Sequence, residues 1–261
     1  MSEMPQNTTN RSGTALITGA SDRIGAAIAR ALAASGHAVV IHYRSGAEDA
    51  ARLVAEITTS GDRASAIQSD LADRDARSTL VAEAQKPFGP LTILINNASI
   101  FDPDSAHDVI ERDWDRHFAI HAEAPIFLSR DFAAQLPAGR EGNIINMIDE
   151  RVLHPTPAYF SYTLSKSVLW TATRTMAQSF APAIRVNAIG PGPVLPHTGQ
   201  SDEDFAQSVT SLPLKRHADP QAIAEGVLAI LAMPSFTGQM LALDGGKHLD
   251  YPSRRGPTPR K

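Results

Sequence analysis

The sequence predicts an α/β fold, a single doubly wound sheet of seven parallel strands flanked by helices. Three observations predict it. Short, fully apolar runs recur along the chain, as expected of strands covered on both faces. They alternate with longer segments whose apolar residues fall at helical spacing. Glycine or proline punctuates the joins, as at Gly36, Gly61 and Pro87,. No repeat or linker-like stretch divides the 261 residues. One domain over residues 13–250 is therefore expected, with a flexible N-terminus at 1–12 and a basic, proline-rich tail at 251–261.

The elements follow in order. Residues 14–18 read as a strand ending at Gly19, and Ile24 to Ala34 as the helix after it. Strand then alternates with helix: Ala38 to His42, Ala47 to Thr59, Ala64 to Gln68, Asp73 to Lys86 and Leu91 to Ile95. A helix with a break near Pro125 is expected from Asp108 to Phe132, then a strand from Gly142 to Ile148. A long helix from Tyr159 to Phe180 precedes strand Arg185 to Ile189, helix Pro220 to Ala232 and strand Gln239 to Leu243. Residues 191–219 carry Pro, Gly, Ser and Asp without a strand pattern, and read as a lid over a site,.

Composition narrows the chemistry. With 24 Lys and Arg against 28 Asp and Glu, the net charge is −4. No broad basic field is available for nucleic acid or an anionic membrane. The chain has no cysteine, which excludes disulfides, thiolate metal sites and a cysteine nucleophile. No His, Asp or Glu cluster has metal-ligand spacing, so no catalytic metal is expected. The first residues lack the apolar core of a secretory signal, and no apolar run reaches membrane-spanning length, so a cytoplasmic location is expected,.

The turn Thr18-Gly19-Ala20-Ser21-Asp22-Arg23-Ile24-Gly25 lies where the first strand becomes the first helix. Backbone N–H groups and the helix dipole there suit a pyrophosphate. Gly19 permits the sharp turn, and Gly25 permits close helix–sheet packing. Beyond the second strand come Tyr43, Arg44 and Ser45. A carboxylate at this place would favour NAD; a guanidinium and a hydroxyl favour the 2′-phosphate, so NADPH is expected over NADH. Asp70 and Leu71 are placed to meet the adenine edge, and Asn96-Asn97-Ala98 lies at the carboxyl edge of the sheet,.

Tyr162 and Lys166 stand one turn apart on one helix face,. A phenol titrates near 10, so it serves as an acid–base group near neutrality only when a cation such as Lys166 stabilises its phenolate.

The glycine turn, Asn-Asn-Ala, Tyr-x-x-x-Lys, Asn187-Ala-Ile-Gly190-Pro191-Gly192 and Asp244-Gly245-Gly246 occur in the order of one family. The chain resembles the short-chain dehydrogenases/reductases over nearly all of residues 13–249, and within them the pteridine and dihydromonapterin reductases. Three positions carry the finer resemblance. Arg23 replaces the middle glycine of the turn. Asp149 stands thirteen residues before Tyr162, where the wider family has serine. Asn96-Asn97-Ala98-Ser99-Ile100-Phe101 resembles the subgroup's substrate loop.

The resemblance implies a Rossmann-fold homotetramer, with a pterin-like small molecule as substrate and Asp149, Tyr162 and Lys166 as the catalytic group. It implies cofactor contacts at Gly19, Ser21, Arg23, Ile24, Tyr43, Arg44, Ser45, Asp70, Leu71, Asn97, Ala98, Ser99, Tyr162, Lys166, Pro191, Gly192 and Val194. Substrate contacts are implied at Arg23, Ser99, Phe101, Asp149 and Tyr162, with Phe101 stacking on the ring and Asp149 holding or relaying a proton. A flat heterocycle sandwiched between nicotinamide and Phe101 is physically consistent with this. A carbonyl reductase of the same fold is the main alternative, and a non-catalytic cofactor-binding sensor a lesser one. One position departs from the family, whose usual asparagine is His121 in His121-Ala-Glu-Ala-Pro125. It reads first as a space filler and second as a proton relay. Glu150, Arg151 and His154 read as solvated residues at the site's mouth, with tuning of substrate choice as the alternative.

Overall fold

A computed structural model describes residues 13–197 and 199–249. The assignments of a flexible 1–12 end and of the tail 251–261 lie outside the described residues.

Seven strands form one parallel sheet: β1 (Thr14–Ile17), β2 (Ala38–Tyr43), β3 (Ala64–Gln68), β4 (Leu91–Asn96), β5 (Gly142–Met147), β6 (Ile184–Pro191) and β7 (Met240–Leu243). Their spatial order is β3-β2-β1-β4-β5-β6-β7. The chain therefore winds outward from β1 in one direction, then crosses back to β4 and winds in the other. The carboxyl ends of β1 and β4 flank that reversal, the crevice where such sheets bind ligands.

Side chains alternate across the sheet, as a two-residue period requires. Ala15, Ile17, Val39, Ile41, Ile93 and Ile95 face one core with α1 (Arg23–Ala34), α2 (Ala47–Thr59) and α8 (Pro220–Ala232). Leu16, Val40, Leu94, Ile144 and Val186 face the other. There they meet α3 (Arg74–Ala84), α5 (Ala124–Gln135) and α6 (Phe160–Phe180). Both faces are dry, which explains why the strands read as continuous apolar runs.

The helix expected from 108 to 132 is built differently. Asp108 accepts hydrogen bonds from the backbone N–H and hydroxyl of Ser105. This local turn competes with helix, and α4 starts later, at Glu111–Phe118. Residues Ala119–Glu123 form a π turn before α5. Pro125 has no N–H to return to the carbonyl four residues back, so the ladder widens there, and Ala124 donates to Ala119 instead,. The π turn carries His121, which is fully buried. Its last residue, Glu123, takes Arg74 at 2.7 Å and the buried Arg77 at 2.8 Å, joining the turn to α3.

Residues 191–219 also hold a helix that periodicity did not reveal, α7 (Asp202–Thr210). It buries no residue completely, so its apolar stripe is faint. Its capping signal was present in the sequence: Ser201 accepts from the N–H of Asp204, and Asp202, Glu203 and Asp204 occupy the positive end of the helix dipole,. Among the described residues, no helix is long and apolar enough to cross a membrane.

Candidate active site

The glycine turn is held from three sides. Gly19 has φ +59, and a Cβ there would lie 2.8 Å from the Cα of Ala98. A Cβ on Gly25 would lie 2.4 Å from the Gly19 carbonyl oxygen. Asn97 donates its side-chain amide to the carbonyls of Thr18 and Gly19 at 2.9 and 2.8 Å. The N–H groups of Asn97 and Ala98 bond the Thr18 hydroxyl at 2.9 and 3.0 Å. Asn97 and Ala98, predicted as cofactor contacts, thus first shape the turn.

His42 supplies the third support, which the sequence reading missed. Its Nδ1 accepts the Gly19 N–H at 3.1 Å, and its Nε2 meets the Ser69 carbonyl at 3.0 Å. An imidazole with an acceptor at one nitrogen and a donor at the other is neutral, with the proton on Nε2. Burial holds the ring's pKa down at about 4.

The first turn of α1 suits an anion. Asp22 occupies the N-cap position, but its side chain caps nothing. In contrast, Asp73, Ser201 and Asp219 cap α3, α7 and α8. The α1 amides remain directed at the cleft. Arg44 and Ser45 are exposed just past β2, beside this turn, and Ser21 lies against Gly46. These donors fit a phosphorylated dinucleotide. At the far side of the cleft Gly192 donates to the Leu243 carbonyl at 3.1 Å, while Val194 is buried. Leu71 is buried, and Asp70, exposed beside it, accepts the Ala72 N–H. Arg23, expected at the phosphates or substrate, reaches across the cleft and donates to the Pro196 carbonyl at 3.0 Å.

Behind the turn, a buried polar chain fixes the next two strands against α6. Asn96 donates to Asn146 at 2.8 Å, and Asn146 donates to Thr173 at 2.9 Å. Such a chain favours one packing of β4, β5 and α6. It places Asp149, just past β5, beside Tyr162 on α6. The Tyr162 hydroxyl donates to Asp149 Oδ2 at 2.9 Å. Asp149 Oδ1 accepts the Arg151 N–H at 2.9 Å and stands 3.4 Å from its guanidinium.

In the resting site burial raises the Tyr162 phenol well above its ordinary value, and the Asp149 carboxylate adds to the rise. The Lys166 ammonium is itself buried, donates to the Met147 carbonyl at 2.8 Å and is lowered by desolvation to about 8. Tyr162 is thus held as a protonated donor.

Aromatic groups cover this end. Phe101 meets the Tyr162 ring edge-on at 4.8 Å and stacks on Tyr159 at 4.1 Å. Arg151 lies over both Phe101 and Tyr159, at 5.2 and 5.1 Å. Arg151 and Glu150 are not solvated as the sequence reading favoured. Glu150 is buried against Lys247 at 2.7 Å, and burial with the neighbouring Asp149 raises its carboxyl. His154 is exposed. Nor is His121 a filler: Ser99, Ile100 and Ser165 all bond its ring. Among the described residues, no group of three or more His, Asp or Glu could hold a metal ion.

The class of protein follows from where these groups lie. The glycine turn sits at the reversal of a doubly wound sheet, and the Tyr–Lys pair stands across the same crevice, as in a Rossmann-type oxidoreductase. The family model for short chain dehydrogenases matches residues 13–207, and the chain belongs to that family.

Among solved structures, the chain is similar to FolM alternative dihydrofolate reductase 1 from Brucella canis, complexed with NADP. The two share 43% identity and a TM-score of 0.90, over 96% of this chain and 97% of that one. It is 36% identical over 243 residues to an uncharacterised oxidoreductase of Methylorubrum extorquens, covering 89% of this chain and 96% of the relative. A 3-oxoacyl-[acyl-carrier-protein] reductase of Staphylococcus aureus shares 32% identity, over 90% of this chain and 98% of the relative.

The state of His42 gives an acid-stability expectation. The unfolded chain binds a proton there near 6.5, the folded chain only near 4. Between those values the unfolded state holds more protons, so stability present above 6.5 is lost as pH falls. The loss from His42 alone should be on the order of 3 kcal/mol by about pH 4. Urea denaturation across this range measures it, and a flat profile from wild type would contradict a buried neutral His42.

Proposed function

We propose that the protein is an NADPH-dependent reductase of a pterin-like ring, a dihydropterin or dihydrofolate, with Tyr162 as proton donor. The observation that carries this reading is the contact of Tyr162 with Asp149 at 2.9 Å, with the Phe101 ring edge-on to Tyr162. An acid and a carboxylate next to an aromatic ring suit a planar, nitrogen-containing substrate better than a flexible ketone. The 43% identity with the Brucella reductase supports it. The identity with a 3-oxoacyl reductase favours the second reading, a carbonyl reductase.

The cofactor is NADP(H), and when bound it supplies the hydride that reduces a C=N bond. The chain's residues bind, orient and move the proton. The free amides at the start of α1 and the turn around Gly19 hold the pyrophosphate, and Arg44 with Ser45 holds the 2′-phosphate. Phe101 and Ser99 orient the ring. Tyr162 gives its hydroxyl proton to the ring nitrogen, and the resulting phenolate is stabilised by the Lys166 ammonium. Asp149, fixed by the Arg151 N–H, relays the replacing proton from the mouth of the site. Residues 191–219, tied to the turn by Arg23 and Pro196, form the lid.

Three outcomes test this. NADPH oxidation should proceed with dihydrobiopterin or dihydrofolate, and Tyr162→Phe should lower kcat about 10²- to 10⁴-fold; turnover of ketones alone would leave the carbonyl reductase standing. Arg44→Ala should weaken NADPH about 10- to 100-fold, through loss of a charge-assisted bond, and NADH less than about threefold. Equal losses in titrations of the two cofactors would remove Arg44 from the 2′-phosphate. Because Lys166 titrates at about 8 and must be charged to steady the phenolate, kcat should fall as pH rises through that value. A pH–rate profile level to about pH 9.5 would exclude this role for the ammonium.

A further inference from the structure

His117 and His121 are one helical turn apart, and so are Ser161 and Ser165 on α6,. Ile100 and Asp102 are two residues apart on the loop after β4. These spacings bring the three segments into register as two rungs. In the inner rung, His121 Nε2 accepts the Ile100 N–H at 3.1 Å, and Nδ1 faces the Ser165 hydroxyl at 2.9 Å. Ser165 donates its own proton to the Tyr162 carbonyl at 2.7 Å. It must therefore accept from Nδ1, which places the His121 proton there.

The outer rung repeats the logic. Ser161 donates its hydroxyl proton to the Asp104 carboxylate. It accepts from His117 Nδ1 at 2.6 Å, and His117 Nε2 faces the Asp102 N–H at 3.5 Å. The two imidazoles lie 5.5 Å apart at 23°. Tyr162 is edge-on to both, at 5.1 Å from His121 and 6.1 Å from His117.

Only a neutral imidazole carries a donor and an acceptor at once. An imidazolium would point an N–H at the N–H of Ile100 or Asp102. Desolvation first, then the charge of Lys166, keeps the His121 pKa well below its ordinary value. Around His117 burial also lowers the value, with Arg116, while Asp102, Asp104 and Asp113 oppose it.

We infer that His117 and His121 are positioning residues: as neutral Nδ1–H tautomers they tie the loop bearing Ser99 and Phe101 to the helix bearing Tyr162. They thereby set how a flat substrate lies against the acid. The inference rests on the proposed roles of Phe101 and Tyr162, but the tautomers can be read without any substrate.

The experiment is a long-range 1H–15N histidine spectrum of the NADP-bound protein at about pH 6, where a free imidazole is mostly charged. Both rings should be neutral with the proton on Nδ1. A proton on Nε2, or an imidazolium, in either ring overturns the ladder. Kinetics give the functional half. His117→Leu should raise KM for the dihydropterin about tenfold, with kcat and NADPH affinity changed less than about threefold, and His117→Gln should restore part of the loss. A KM unmoved by His117→Leu overturns the positioning role, and if that variant does not fold, the wild-type spectrum still decides. Were the protein to reduce only ketones, the pterin reading would fail, while the spectrum and the KM shift with that ketone would still judge the ladder.

Discussion

A phenol that is only 5% exposed keeps its proton unless something nearby favours the phenolate, and Tyr162 is in that position. Burial and the Asp149 carboxylate both raise its pKa, and Arg151 and Ser99 oppose them. The rest of the site answers this constraint. Asp149 takes the hydroxyl's hydrogen bond, so the buried group is satisfied,. Lys166 is kept close but anchored to Met147. The ammonium's own desolvation makes it responsive near neutrality, at about 8, so its charge is available when negative charge develops,. An acid held protonated at rest, with a cation in reserve, suits the reductive direction.

The same economy of water explains the histidines. His42, His117 and His121 are all buried, and in each, burial is the largest cause of a lowered pKa. A buried imidazole is tolerated when both nitrogens are bonded, and each of these rings has partners on both. Each ring joins two separate pieces of chain through its two nitrogens. His42 joins the glycine turn to the end of β3, and the other two join the loop after β4 to α6. The nucleotide end and the substrate end of the cleft are thus braced by one kind of group.

Fold and function meet at the reversal between β1 and β4. The crossover opens a crevice there,. The glycines at 19 and 25 let backbone approach backbone, and Asn97 closes the turn from the neighbouring strand. The start of α1, at this place, has no side-chain cap, whereas α3, α7 and α8 do. Free amides facing a cleft are costly unless water or a ligand takes them.

The sequence by itself determined the sheet, because strands covered on both faces must be apolar throughout and the intervening helices must show a stripe. The glycine turn and the Tyr162–Lys166 spacing were legible for the same reason: each is a local pattern with a geometric meaning. α7 escaped because it buries no residue completely and so leaves little periodicity, although its Ser201 cap was readable. The π turn before Pro125 was legible only as a break. What only the tertiary structure decided was the state of the buried polar groups. His42, Glu150, His117 and His121 looked like surface, filler or unremarkable residues. Their roles depend on which donors and acceptors meet them from segments 15 to 97 residues away. A hydrogen-bond partner across that separation leaves no period in a sequence, and desolvation, which sets the charge of each group, exists only once the chain has closed around it.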